Sequence, residues 1–243
     1  MNPEEILQEI AEKVTNCQAC GLHFSRNRAV PGEGNPGTEI MFIGEGPGFH
    51  ENEQGRPFVG QAGKFLDELL NEAGYIREEV FIANVVKCRP PGNRDPLPEE
   101  LEACSQYLDR QIEIINPPVI VTLGRVSMGK FLPMAKISLV HGKPFWVSQR
   151  LIVPMYHPAA ALHQPSLKNT VIEDFRALPA VIAHARKAGR FSISLTRSRS
   201  GSACCARRAR AWAVISRAPP CIRHFQKRPA IVSSVTSCWL CRA

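Results

Sequence analysis

Hydrophobic residues along this chain recur in two different periods, and the two alternate. Ile6, Ile10 and Val14 share one helical face, and Pro3, Glu4 and Glu5 suit a first turn, so residues 3–16 read as a helix. Glu39 to Ile43 is a short apolar run closed by Gly44, the pattern of a buried strand. Phe65, Leu66, Leu69 and Leu70 return to helical spacing within residues 61–73, and Gly74 supplies the stop. Val80 to Val86 predicts a second strand, Pro98 to Asn116 a helix, and Val119 to Leu123 a third strand closed by Gly124. A short helix is expected over 125–132, an edge strand over 145–147, a fourth core strand over 151–153 and a closing helix over 169–187.

Strands and helices in alternation predict an α/β fold with a mainly parallel sheet. In such sheets ligands gather at the carboxyl ends of the strands. The residues that follow the four core strands are Gly44 to Gly48 (GEGPG), Asn84 to Cys88, Gly124 with Arg125, and Tyr156 to Ala160. Glycine and polar residues collect where a site belongs.

Composition changes this picture at one place. The 243 residues carry a formal charge of +8, which by itself suggests a nucleic-acid partner. Residues 1–188 hold 19 Lys+Arg against 22 Asp+Glu, a net −3, whereas residues 189–243 hold 11 Lys+Arg and no acid. A domain over 1–188 is therefore expected, followed by a basic Arg/Ser/Cys-rich tail over 189–243 with no predicted fold. That tail reads either as a disordered basic arm or as sequence of foreign origin, such as translation past a frameshift. No apolar run is long enough to span a bilayer and the acidic N-terminus does not read as a signal peptide. The expectation is a cytoplasmic protein, without membrane association, acting as a monomer; a contact with a replication clamp is not legible.

Each candidate motif has a plain reading and a chemical one. GEGPG is a tight turn, or small residues that let backbone N–H groups approach a flat ligand while Glu45 holds a polar contact or a water. It does not fit a dinucleotide loop, since its glycines are spaced by two. Phe58 is a ring buried under its loop, or one that stacks on a planar base. Asn84 is a turn residue, or an amide whose acceptor and donors match the edge of a pyrimidine. His157 is structural, or a donor to a developing oxyanion. Cys17, Cys20, Cys88 and Cys104 are the only cysteines before residue 189, and one C-x2-C pair among four suits a four-thiolate site for zinc or iron–sulfur.

Taken together, six segments resemble the type-4 (iron–sulfur) uracil-DNA glycosylases of the uracil-DNA glycosylase superfamily. They are CxxC at 17–20, GEGPG at 44–48, GRPFVGQAGKFLDELL at 55–70, NVVKCRPPGNRDPLPEELEAC at 84–104, TLGRVSMGKFL at 122–132 and PMYHPAAALHQPSLKNTVIEDF at 154–175. The resemblance implies a three-layer αβα fold with a central four-stranded, mainly parallel sheet. It implies a [4Fe–4S] cluster on Cys17, Cys20, Cys88 and Cys104, and hydrolysis of the N-glycosidic bond of deoxyuridine in uracil-containing DNA. Carried over by position, Gly44, Glu45 and Gly46 line a uracil pocket, Phe58 stacks on the base, Asn84 reads its edge and His157 contacts O2. Glu45 and His157 would then be the catalytic pair, with Glu51 in the same loop as an alternative handler of the water. Arg89, Arg94 and Lys168 are candidates for phosphate contacts, and Leu162 or His163 for a wedge into the gap left by an extruded base.

Two other readings compete. A non-catalytic iron–sulfur or zinc DNA-binding module would need the cysteines and the Arg-rich loop but not Glu45, Asn84 and His157. A nucleotide hydrolase would need an acidic Mg²⁺ cluster, which the sequence lacks.

Overall fold

The computed structural model describes residues 2–197. Fourteen regular elements follow one another in this order: α1 (Pro3–Thr15), β1 (Glu33–Gly34), β2 (Ile40–Gly44), α2 (Phe49–Gln54), α3 (Gln61–Glu72), β3 (Phe81–Asn84), α4 (Pro98–Ile115), β4 (Val119–Leu123), α5 (Arg125–Gly129), α6 (Ile137–Val140), β5 (Phe145–Val147), β6 (Arg150–Met155), α7 (Pro158–His163) and α8 (Lys168–Arg197). The start of α1 is fixed by a reciprocal cap: Asn2 Oδ1 accepts from the N–H of Glu4 at 3.3 Å, and Glu5 Oε2 accepts from the N–H of Asn2 at 3.0 Å.

The six strands form one mixed sheet in the order β1-β3-β2-β4-β6-β5. The expectation of four strands is corrected here. The four predicted core strands are the parallel centre, but each edge carries a short antiparallel strand, β1 on β3 and β5 on β6. β5 is the expected edge strand. β1 has only two residues, Glu33 and Gly34, too few for any period-two pattern to register.

Helices flank both faces, and alternation along each strand sorts the core. Phe42, Ile82, Val121 and Val153 point to one face, where they meet Phe65, Leu66, Leu69 and Leu70 of α3 and Val171, Phe175 and Leu178 of α8. Met41, Ile43, Phe81, Ala83, Ile120 and Ile152 point to the other, against Leu108, Ile112 and Ile115 of α4. Burial on both faces explains why β2 reads as an apolar run, and β4 as one interrupted only by Thr122, rather than as alternating patterns. A smaller cluster joins Ile10 and Val14 of α1 to Leu22, Val86, Cys88 and Cys104.

The closing helix continues to Arg197, past its expected end at 187. The rest of the expected tail, from residue 198 onward, lies outside the described residues. Among the described residues no helix is long and apolar enough to cross a membrane.

Candidate functional site

Because β2, β3, β4 and β6 run parallel, their carboxyl ends open on one side of the sheet, and a pocket of about 410 Å³ lies there. Glu45, Gly46, Phe58, Asn84, Arg94, His157 and His163 line it, together with Glu51, Ala62, Pro90 and Asn93. Seven of the predicted residues thus converge on one cavity. Gly44, Arg89, Leu162 and Lys168 are not part of its lining, although Gly44 packs against Asn84 and Phe58, which are.

The glycine loop is tied to the neighbouring strand end. Val85 N–H donates to the carbonyl of Gly44, and Val86 N–H to that of Glu45, both at 3.1 Å. Gly44 permits a close approach that no other residue would: a Cβ there would collide with Asn84 Oδ1 and come within 2.6 Å of the Phe58 ring. Asn84 is buried, and its Oδ1 has no hydrogen-bond partner. An orphaned buried acceptor is uncommon in folded proteins and here it borders an open pocket.

His157 follows β6 and caps α7. Its Nδ1 accepts from the N–H of Ala159 at 3.1 Å, with Pro158 at the first helical position. Burial pulls the imidazole down to about 4, opposed only by the charge of Glu51, so the ring is neutral at physiological pH. The Phe58 ring lies alongside it, stacked at 5.6 Å between centroids and 27° between planes. Burial pushes the Glu45 carboxyl up from its ordinary range, Asp95 adds to this, and Arg125 opposes it. Glu51 is differently employed: its Oε1 accepts from the N–H groups of Val59 and Gly60, each at 2.9 Å.

The candidate cations differ in how free they are. Arg94 forms a two-pronged pair with Glu100 at 2.6 and 2.9 Å, so much of its charge is offset. Arg89 donates to Asn93 Oδ1 at 2.8 Å and lies over the exposed Phe49 ring at 5.3 Å. Lys168 lies over the Phe65 ring at 5.6 Å, and Leu162 is exposed on α7.

A sequence model described as the Uracil DNA glycosylase superfamily matches residues 31–176. The type-4 uracil-DNA glycosylase of Thermotoga maritima is 48% identical over 184 residues, which cover 74% of this chain and 96% of that protein. That of Sulfurisphaera tokodaii is 50% identical over 184 residues, covering 71% and 83% respectively. A type-5 uracil-DNA glycosylase of Thermus thermophilus is 38% identical over 120 residues, 43% of this chain and 54% of its own length. The chain belongs to the type-4 uracil-DNA glycosylase family.

In this type-4 chain the expected [4Fe–4S] cofactor is corrected. Among the described residues no group of three or more His, Cys, Asp or Glu side chains is placed to hold a metal ion. Cys17, Cys20, Cys88 and Cys104 do border one cavity, but its volume is about 10 Å³, room for about one water. Three of the four sulfurs accept hydrogen bonds: Cys17 from Ala19 N–H at 3.4 Å, Cys88 from Arg26 at 3.2 Å and Cys104 from Lys87 N–H at 3.2 Å. Burial raises the Cys88 thiol and takes that of Cys104 up to about 11, so both are protonated in the metal-free protein.

Two site features escaped the sequence. The grip of Glu51 on the 59–60 backbone joins residues eight and nine apart through a loop of no regular period. Arg77 donates to the carbonyls of Pro57 and Phe58 from a turn that no motif marks.

Proposed function

We propose that the pocket receives a uracil nucleotide extruded from DNA and that the protein hydrolyses its N-glycosidic bond, releasing uracil and leaving an abasic site for base excision repair. The observation that carries this reading is the unpartnered, buried Oδ1 of Asn84 at the pocket that also contains a neutral His157. The Asn84 acceptor suits the N3–H of uracil, and its amide N–H groups suit O4. Phe58 stacks on the base, Gly44 lets Asn84 and Phe58 close in beside it, and Gly46 lines the wall of the pocket. Family membership supports the same chemistry.

Extrusion costs a few kcal/mol, and the pocket's contacts must offset this. When the C1′–N1 bond breaks, its electron pair leaves with uracil and charge spreads onto O2. His157, with Nδ1 engaged by Ala159, would present Nε2–H to that oxygen. The oxygen of a water bonds to C1′, and one proton of that water passes to the Glu45 carboxylate. Glu45 is favoured over Glu51 for this step because Glu51 Oε1 is already committed to two backbone donors.

On the DNA side, Arg89 and Lys168 would meet phosphates, with a smaller part for Arg94 because of its pairing with Glu100. Leu162 or His163 would fill the vacated stack. The reading takes the domain as residues 1–188 and the protein as a cytoplasmic monomer.

Incubation with a uracil-containing oligonucleotide tests the proposal. The expected result is alkali-labile abasic sites from the wild type and far fewer from His157→Ala. Equal inactivity of both, with folding intact, would leave a DNA-binding module without catalysis.

A further inference from the structure

Phe58 has a backbone φ of 51°, in the left-handed region that a bulky side chain rarely occupies. Such a residue persists only when its surroundings impose the conformation. Two side chains do so from opposite sides. Glu51 accepts from the N–H groups of Val59 and Gly60, just beyond Phe58. Arg77 donates from Nη1 to the Phe58 carbonyl at 3.2 Å and from Nη2 to the carbonyl of Pro57. The same guanidinium is held by Asp67 at 2.9 Å and by Glu33 at 3.0 and 3.2 Å. Its side chain is only 17% exposed, so these bonds are poorly screened by solvent. Beneath them, a Cβ at Gly63 would collide with the Phe58 carbonyl, so the loop is pressed onto the first turn of α3.

The imposed backbone determines where the ring lies. Phe58 is 5% exposed, and its ring runs alongside His157 and over Gly44. Arg77 itself is absent from the pocket lining and so would touch no bound base. We propose that Arg77 is a positioning residue: by fixing the Pro57 and Phe58 carbonyls it holds the Phe58 ring flat along the base slot. This rests on the reading of the slot as a uracil site. Only a planar fork can address two neighbouring carbonyls and two carboxylates together. A lysine ammonium in the same place keeps the charge and loses that geometry.

The test is a double-mutant cycle in the full chain, combining Arg77→Lys with Phe58→Ala. Two quantities are read, the single-turnover rate of uracil release from an oligonucleotide and the affinity for free uracil by calorimetry, with circular dichroism as the check on folding. Arg77→Lys is expected to lower both by about tenfold or more in the wild-type background, and by less than about twofold once Phe58 is alanine. The same loss in both backgrounds, or wild-type values from a folded Arg77→Lys protein, would overturn the proposal. Should Arg77→Lys fail to fold, Asp67→Asn loosens the same guanidinium from a half-buried position. The same coupling to Phe58 is then expected, and additivity overturns it. A wild type that binds free uracil with this coupling but releases none from DNA would sink the glycosylase reading and leave Arg77 in its role. A wild type that does neither would sink both.

Discussion

The N–H of Ala159 donates to Nδ1 of His157 at 3.1 Å, so the imidazole caps the helix that follows it with its own lone pair. This fixes the tautomer: a neutral ring whose Nδ1 accepts must carry its proton on Nε2. The donor toward the pocket is therefore set by local helix geometry. His157→Ala is expected to lower the single-turnover rate of uracil release by about 10²–10³, the usual cost of one oxyanion donor. KM should change much less. A rate within a few-fold of wild type would remove His157 from the chemistry.

The pH dependence follows from two groups. In the proposed step Glu45 takes a proton and must be ionised; burial and Asp95 raise its carboxyl while Arg125 lowers it. Asp95→Asn should accordingly move the acid limb of the rate profile to lower pH, and Arg125→Gln to higher pH. His157 adds no limb near 6.5, because burial has taken it to about 4. Its folded value lies below the unfolded one, so the unfolded chain binds the extra proton between those two pH values. Stability is thus full above 6.5 and falls toward 4, with a slope approaching about 1.4 kcal/mol per pH unit from this group. Denaturant melts across that window should show a flatter slope for His157→Gln.

Asn84 exposes a conflict between binding and stability. In the free protein its Oδ1 is buried without a partner, a state that costs about 1–3 kcal/mol until a ligand donates to it. Asn84→Ala removes that cost and opens a small void in exchange. Its unfolding free energy should stay within about 1 kcal/mol of wild type. Uracil release should nevertheless fall by about 10² or more, chiefly through weaker capture of the base. A large loss of stability would mean that the amide is structural.

Much of this arrangement is legible in the sequence. The apolar runs at 40–44 and 119–123 marked strands buried on both faces, and the rule that ligands gather at strand ends put Glu45, Asn84 and His157 on one side. What escaped has physical causes. α2, Phe49–Gln54, is polar apart from its first residue and carries no apolar period. β1 is too short to alternate. The roles of Glu51 and Arg77 depend on backbone groups, which every residue possesses and no sequence pattern advertises. The cysteine spacing suggested a metal site, yet spacing says nothing about how the folded chain places the sulfurs or how much room lies between them.

The basic stretch makes a separate prediction. Residues 189–243 carry 11 Lys+Arg and no acid, while the pocket is built from residues 45–163. Truncation after Arg197 keeps all of α8 and should leave uracil release unchanged at physiological salt. The readout that distinguishes the two origins of the stretch is DNA affinity at low ionic strength. A basic arm would strengthen binding there and steepen its salt dependence, whereas incidental sequence would do neither.

Two glycines separate site from scaffold. A Cβ at Gly44 would meet the side chains of Asn84 and Phe58, whereas one at Gly63 would meet the backbone of Phe58. Side-chain tips can yield and backbone cannot without moving the loop. Gly44→Ala should therefore fold with a smaller loss of stability than Gly63→Ala, because the buried tips of Asn84 and Phe58 can be pushed aside while the Phe58 backbone stays held. Those same shifts fill the slot, and uracil release should drop by about 10² or more. Gly63→Ala has no soft neighbour and should lose about 1–3 kcal/mol of stability, as overpacked sites do. Thermal melts and single-turnover rates on both variants check the contrast. If Gly44→Ala lost stability while keeping its activity, the close approach of Gly44, Asn84 and Phe58 would be scaffold rather than binding site.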